Sequence, residues 1–323
     1  MISSLLDFEW TFYVGILLAV VFCALSLVKL SDKLPHDQGR AFAVDGHLSK
    51  GKVRGAGIIF VVVFAVVSFL FGEFTIEYVF YTLEIVLCML TGFFDDASEK
   101  PWNEYLKGVL DLALAVAVAV TYLSYNPSSF KLFIFSDYTI NVPSWLFAIL
   151  IVALVWCSIN VTNCTDGVDG LSATLTVITL GSFYFVMRVT ERSNNSWNYY
   201  VLVFICVLLV YLWFNSAPST MLMGDAGSRA MGMIIAITSI VSKMPLLYVL
   251  FALVMILDGG LGLIKVALLR FFKISILKNT RCPLHDQARK VNGWSGTQVC
   301  YRFAIIQLII NIVAILIFEA DFM

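Results

Sequence analysis

The chain has 323 residues, of which 60% are hydrophobic and 13% are charged, against about 25% charged in an average soluble domain. A water-soluble protein of this length cannot bury so much apolar surface, so the composition excludes an ordinary globular domain and predicts a membrane protein in contact with the lipid bilayer. The net charge of -1 gives no electrostatic basis for a nucleic-acid partner, and none is expected.

Long apolar runs recur along the whole chain. The hydrocarbon core of a bilayer is ~30 Å thick and takes roughly 20 apolar residues per helix. The runs predict an all-α polytopic membrane protein, with residues 1–323 forming one integral membrane domain. About ten spans are expected, at 10–30, 55–72, 78–94, 105–122, 143–159, 171–189, 199–214, 230–241, 245–269 and 299–318.

One of these spans and one of the loops between them carry further local signals. The ninth span contains Asp258-Gly259-Gly260, which predicts a kinked or broken helix. The loop 126–141 contains the run Lys131-Leu132-Phe133-Ile134 and predicts a small β-hairpin between the fourth and fifth spans.

The basic residues are distributed unevenly between the two predicted faces. Of the 21 Lys and Arg residues, all fall on one face except Lys131, Arg188, Arg192 and Lys243. Because basic residues accumulate in cytoplasmic loops, the rich face is predicted to be cytoplasmic. With ten spans, both termini then lie outside.

Three loops on the predicted cytoplasmic face carry acidic motifs, at 92–96, 160–170 and 223–228. Carboxylates that crowd one site repel each other unless a cation joins them. Carboxylate oxygens without paired thiols favour a hard cation, Mg²⁺ or Mn²⁺, and Mg²⁺ is often shared with substrate phosphates. The pattern therefore indicates a metal site that takes a diphosphate substrate.

Each motif also has a simpler explanation when it is taken alone. Asp95 and Asp96 are also typical of solvated acids at a helix end. Residues 166–170 fit a turn, and 224–228 fit a helix cap. His285 could bind phosphate, relay a proton or lie in solvent. The coincidence of three acidic motifs at one face favours a shared site.

The order of these motifs resembles a known family. The motifs at 92–96, 160–171, 215–218 and 223–228 are similar to those of the polyprenyl-phosphate N-acetylhexosamine-1-phosphate transferase superfamily. Pro283-Leu284-His285, Gly293-Trp294 and residues 302–307 most resemble its phospho-N-acetylmuramoyl-pentapeptide transferase branch. The resemblance runs from about residue 50 to residue 307.

This resemblance implies an activity. An enzyme of that branch transfers phospho-N-acetylmuramoyl-pentapeptide from its UDP-linked precursor to undecaprenyl phosphate. Lipid I and UMP form, in peptidoglycan synthesis, with Mg²⁺ as cofactor. The implied location is the bacterial inner membrane, with the active site on the cytoplasmic face. A homodimer is one of the oligomeric states that the sequence leaves open.

The resemblance also implies catalytic residues, namely Asp95, Asp96, Asp166, Asp225 and His285. Asp225 is expected to be the principal Mg²⁺ ligand, and Asp96 to support the metal site. Adjacent helical residues point ~100° apart, so Asp95 has a different expected task, to deprotonate or orient the lipid phosphate. Asp166 is expected to shape the diphosphate and ribose region, and His285 to contact phosphate.

Five more residues are expected to bind the substrates. They are Lys107 at a phosphate, Asn163 at the diphosphate and ribose, Asp169 and Asn215 at uridine, and Gly224 where the backbone approaches phosphate. Sequence leaves open whether the lipid phosphate attacks directly or through a covalent aspartyl intermediate.

The chain departs from the branch at three places. Where the branch has three successive histidines, this chain has His285, Asp286 and Gln287. Leu222 stands where a phenylalanine is expected to stack on uracil, and residues 51–57 differ from the usual glycine-rich segment. We expect His285 to keep the essential role and Asp286 to face a donor such as Arg289.

Two other functions remain open from sequence. A sister enzyme that uses UDP-N-acetylglucosamine would share the aspartate motifs. A transporter would explain Glu84, Asp111 and Asp258, which lie inside predicted spans and are costly there. The sequence shows no inverted repeat, and its acidic motifs are confined to one face, so the enzyme is favoured.

Overall fold

The computed structural model describes residues 8–37, 39, 49–98, 100, 102–132, 138–190 and 196–322. This part is 76% helical, and its strands are two or three residues long, which confirms a nearly all-α fold. Its helices are α1 (Phe8–Leu30), α2 (Gly57–Phe71), α3 (Ile76–Ala97), α4 (Glu104–Tyr125), α5 (Ser144–Thr165), α6 (Leu171–Thr190), α7 (Trp197–Asn215), α8 (Gly224–Val241), α9 (Leu247–Phe251), α10 (Leu253–Met255), α11 (Leu261–Phe272), α12 (Leu284–Lys290) and α13 (Gly296–Phe322).

Within the described residues, seven helices are long and apolar enough to cross a membrane. They lie at Trp10–Lys33, Ile76–Ala97, Glu104–Tyr125, Ser144–Thr165, Leu171–Thr190, Trp197–Asn215 and Gly296–Phe318. α2 is apolar but has only 15 residues. The chain is therefore a multi-pass membrane protein, while the count of ten spans and the outside location of both termini stay predictions.

α8 is the central helix of the bundle. Almost all of its residues are buried, and it packs against α2, α3, α5 and α6. After the first turns of α8, residues 230–237 are all apolar or glycine, which is typical of a helix buried on every side. The third acidic motif lies at its first turn, beside the end of α3, where the first motif lies, and near the end of α5, where the second begins.

The ninth predicted span is divided into short pieces. α9 and α10 are followed by a π-helical segment, Ile256–Gly260, and then by α11. The Asp258-Gly259-Gly260 triplet lies in that segment, and a kink of the axis there stays a prediction. α12 packs against the π-helical segment and against α13.

Two pairs of short strands complete the fold. β1 (Val53–Arg54) lies parallel to β4 (Met221–Leu222), and this pairing holds Val53 and Arg54 beside the segment that enters α8. β2 (Ser129–Lys131) pairs antiparallel with β3 (Thr139–Asn141), as predicted for the loop 126–141, while Phe133 and Ile134 of the predicted run lie outside the described residues.

Candidate active site

The first and third acidic motifs meet in one cluster. One carboxylate oxygen from each of Asp95, Asp96 and Asp225 lies within 4.8 Å of the other two. The close approach of α3 to α8 depends on Gly92, because a Cβ atom there would lie 2.4 Å from the carbonyl oxygen of Asp225. The glycine of the 92–96 motif thus brings the carboxylates together.

Lys107, in the first turn of α4, provides one cation for this cluster. Its ammonium group pairs with Asp95 and lies 3.8 Å from Asp225 Oδ2. The other oxygen of Asp95 accepts a hydrogen bond of 2.8 Å from the backbone N–H of Trp102. Asn103 caps α4 by accepting the N–H of Leu106 at 2.7 Å, which fixes the helix start that carries Lys107.

Arg54 provides a second cation. Its guanidinium lies 2.6 Å from Asp96 Oδ1 and 3.9 Å from Asp225 Oδ1. Burial of the guanidinium opposes its charge, but Asp96 and Asp225 outweigh burial and raise the pKa of Arg54. Arg54 was not among the site residues predicted from sequence. Its place in the segment 51–57, where the chain differs from the branch, is the sequence feature that could have identified it.

Asp96 holds the start of α8. Its Oδ2 accepts the backbone N–H of Asp225 at 2.7 Å, and its side chain is only 1% exposed. Gly224 has φ +67°, and a Cβ atom there would lie 2.1 Å from the same oxygen, so this position requires glycine. Both oxygens of Asp96 therefore accept from protein donors, and a direct bond from Asp96 to a metal stays a prediction.

The cluster fits a metal ion. Asp225 is the most open of the three carboxylates, with a side chain 17% exposed and each oxygen beyond hydrogen-bond distance of the nearest cation. A group of three carboxylates suits a hard divalent cation better than a soft one. Asp225 is the ligand that the geometry favours.

A cavity of about 810 Å³ adjoins the cluster. This volume lies within the range typical of small-molecule sites, roughly 300–1,000 Å³. The structure brings six of the predicted site residues to its wall, and the six are Asn163, Asp166, Asp169, Asn215, Gly224 and His285.

One side of the cavity has a basic and an acidic residue together. Lys52 Nζ donates to Ser219 Oγ at 2.8 Å and lies 3.6 Å from Asp169 Oδ2. The same Asp169 oxygen accepts the backbone N–H of Ser219 at 3.1 Å. Lys52 was not among the predicted site residues.

Two predicted asparagines connect elements of the site. Asn215 accepts the N–H of Gly170 and donates to the carbonyl of Met221, both at 2.9 Å. Asn163 donates to Ser228 Oγ at 2.9 Å, which ties α5 to α8. These bonds hold the 166–170 loop and α8 in place, while contacts of both asparagines with substrate stay predictions.

His285 is held by a buried carboxylate. Its backbone N–H donates to Asp258 Oδ1 at 2.7 Å, and its ring Nδ1 lies 2.8 Å from Oδ2. Asp258 is fully buried. An Nδ1–H donated to Asp258 fixes the ring and leaves Nε2 for a second partner. Sequence reasoning placed Asp258 with the transporter alternative and missed this pairing.

The other two positions of the altered histidine motif are also engaged. Asp286 lies 3.8 Å from Lys290 Nζ, one helical turn later. The expected approach of Asp286 to Arg289 stays a prediction. Gln287 Oε1 accepts the backbone N–H of Arg281 at 2.8 Å.

The remaining acids inside the spans also have protein partners. Glu84 accepts from Thr121 at 2.7 Å, and Asp111 forms an ion pair with Arg229 and accepts from Asn160 at 3.2 Å. Asp111 thus has a cationic partner, whereas Glu84 bonds to a neutral hydroxyl through one oxygen, and its Oε2 is buried without a hydrogen-bond partner among the described residues.

Comparison with known proteins agrees with the geometry. Residues 78–243 match the model of glycosyl transferase family 4. A phospho-N-acetylmuramoyl-pentapeptide-transferase of Treponema pallidum is 39% identical over 295 residues, covering 86% of this chain and 81% of the relative. One of Dictyoglomus turgidum is 30% identical, covering 87% and 89%, and one of Bartonella quintana is 26% identical, covering 92% and 89%. The chain therefore belongs to glycosyl transferase family 4, among the phospho-N-acetylmuramoyl-pentapeptide transferases.

Proposed function

We propose that the protein transfers phospho-N-acetylmuramoyl-pentapeptide from its UDP-linked precursor to undecaprenyl phosphate, forming lipid I and UMP. The observation that carries the proposal is the three-carboxylate cluster beside a cavity of about 810 Å³, in a chain that is 39% identical to a relative of that name. A lipid acceptor explains why the site lies at the end of membrane helices, and a diphosphate donor explains the acidic cluster.

In the reaction, an oxygen of the lipid phosphate attacks the sugar-linked phosphorus of the donor. A new P–O bond forms, and the bond from that phosphorus to the bridging oxygen breaks. UMP leaves with the electron pair. Phosphoryl transfer of this kind depends mainly on positioning and on neutralisation of charge.

The cluster residues divide this work. Asp225 binds Mg²⁺, and Asp96 fixes the backbone of Asp225. Mg²⁺, when bound, neutralises negative charge on the phosphates. Asp95 orients the lipid phosphate, with Lys107 beside it to attract that anion.

The cavity residues bind the donor. Asp169 and Asn215 lie at the uridine end, and Asn163 and Asp166 lie nearer the diphosphate and ribose. His285, held by Asp258, contacts a phosphate through Nε2. The uneven distribution of basic residues supports a site on the cytoplasmic face of the bacterial inner membrane.

A product assay tests the proposal. Detergent-purified protein is incubated with Mg²⁺, undecaprenyl phosphate and either UDP-N-acetylmuramoyl-pentapeptide or UDP-N-acetylglucosamine, and the lipid product is identified by mass spectrometry. We expect lipid I and UMP from the first donor only. A lipid-linked N-acetylglucosamine product would identify the sister enzyme instead, and no product from either donor would overturn the proposal.

A further inference from the structure

Arg54 belongs to both parts of the site. Its guanidinium contacts Asp96 and Asp225 in the acidic cluster, and the same residue lines the cavity. A nucleotide donor whose uridine lies in the cavity and whose sugar-linked phosphorus reaches the cluster must place its diphosphate between the two. Arg54 occupies that position.

The strand that carries Arg54 also places a second cation. Lys52 and Arg54 are two residues apart, roughly 7 Å along an extended chain, and both line the cavity. Lys52 lies at the Asp169 end and Arg54 at the Asp225 end. The pairing of β1 with β4 fixes this order relative to the start of α8. A diphosphate that extends from the Asp169 end toward the cluster would pass Lys52 on the uridine side and then meet Arg54 beside the cluster.

The guanidinium keeps unused binding capacity. It donates from one terminal nitrogen to Asp96, and its buried Nε–H has no hydrogen-bond partner among the described residues. A guanidinium presents five N–H donors in a planar fork that matches phosphate oxygens. A buried donor without a partner is costly, so an incoming phosphate oxygen would be favoured there.

We propose that Arg54 is a catalytic residue that binds the sugar-linked phosphate of the donor diphosphate and neutralises charge there during transfer. The inference rests on the proposed function and adds a group for which sequence reasoning gave no role. In the free protein, Asp96 holds the guanidinium in place. When the donor binds, the unused N–H groups of Arg54 point to phosphate, while Asp225 serves the metal ion.

A purely structural role for Arg54 predicts different binding results. If Arg54 only balanced the charge of Asp96 and Asp225, its removal would leave a more negative cluster. That cluster would bind Mg²⁺ more tightly and would not discriminate between nucleotides by their phosphates. Removing the charge of Asp96 as well would then restore the parent behaviour.

Binding of uridine, UMP and UDP tests the inference without turnover. Titration calorimetry with Mg²⁺ present compares the parent with Arg54→Gln, Arg54→Lys and the control Arg270→Gln, which changes an exposed arginine paired with Glu104. We expect Arg54→Gln to weaken UDP at least about tenfold, since charge-assisted bonds to phosphate are lost, with UMP changed less and uridine unchanged. Arg54→Lys should keep part of the UDP affinity, and Arg270→Gln all of it.

The double variant Arg54→Gln/Asp96→Asn separates the two roles. Under the inference, it binds UDP as weakly as Arg54→Gln. Recovery of parent UDP affinity in the double variant, or an unchanged preference for UDP over UMP in folded Arg54→Gln, overturns the inference. Arg54→Lys supplies the same comparison of UDP with UMP if Arg54→Gln does not fold.

Failure of the inference and failure of the proposed function are distinguishable. A parent protein that forms lipid I, together with an Arg54→Gln variant that binds UDP normally, overturns only the role of Arg54. A parent protein that binds none of the three uridine compounds overturns the proposed function, and the role of Arg54 with it.

Discussion

Asp225 and Arg229 lie one helical turn apart on α8, yet their surroundings differ. The Asp225 side chain is 17% exposed, with Arg54 and Lys107 at 3.9 and 3.8 Å. The Arg229 side chain is 5% exposed and forms an ion pair with Asp111, which is 3% exposed. The surroundings of Asp225 leave room for a ligand, whereas the Arg229–Asp111 pair is buried from solvent. One turn of α8 therefore separates a carboxylate that can bind a ligand from an arginine that stabilises helix packing.

Breaking the closed pair should have the largest effect. Arg229→Leu leaves Asp111 charged and buried without its partner, which should lower the free energy of unfolding by about 3–5 kcal/mol. The measurement is the thermal midpoint of the detergent-purified protein.

The control replaces both partners. Asp111→Leu/Arg229→Leu removes both buried charges and should recover most of the lost stability. A thermal midpoint in Arg229→Leu equal to that of the parent would show that the ion pair contributes little, and the distinction drawn along α8 would fail.

Asp225→Asn tests whether the exposed carboxylate at the start of α8 binds the metal ion. It removes a charged ligand with little change in shape, so folding should be unchanged. Turnover should fall at least ~10²-fold, because a metal contact stabilises the transition state by several kcal/mol. The measurement is lipid I formation as a function of Mg²⁺ concentration. Near-normal turnover with an unchanged Mg²⁺ requirement would remove Asp225 from the metal site.

Local patterns in the sequence predicted much of the architecture. Apolar runs predicted membrane helices, and the motifs at 92–96 and 223–228 predicted carboxylates that the structure brings within 4.8 Å. Both signals are local, because each depends on residue type within one segment. The short α2 and the divided segment around Asp258 depend on packing with other helices, which no single run reveals.

Pairings between distant segments could not be predicted in the same way. Arg54 meets Asp96 across 42 positions, and His285 meets Asp258 across 27. A lone arginine in a basic loop and a lone acid inside a span have many explanations from sequence. Only the pairing of β1 with β4 and the packing of α12 on the π-helical segment give each of them a partner.

The His285–Asp258 pair joins a buried charge to an open site, since the fully buried Asp258 holds His285, which lines the cavity. His285→Ala should lower turnover by about 10²-fold, a typical loss for a positioned imidazole. Asp258→Asn should have a smaller effect, because the imidazole is kept, but one of the two oxygens that accept from His285 is replaced by an NH2 donor, so the ring is held less firmly.

The matched measurements are kcat and KM for the donor. Parent values of both in Asp258→Asn would show that the bonds from Asp258 to His285 do not contribute to turnover. If His285→Ala retains most activity, the α12 region lies outside the active site, and a solvated histidine is the better interpretation.

Gln287 should show the smallest effect, because its side chain accepts the exposed backbone N–H of Arg281 and, among the described residues, does not line the cavity. Gln287→Ala removes that acceptor, which is worth about 0.5–1.5 kcal/mol of stability, and should leave turnover within about threefold of the parent. Gln287→His should be tolerated, because imidazole is the usual residue at this position in the branch and can also accept the Arg281 N–H. Turnover of both variants is measured beside His285→Ala under the same conditions. A loss in Gln287→Ala as large as that in His285→Ala would mean that the first and third positions of the motif act together at the substrate, and the assignment of the essential role to His285 alone would be wrong.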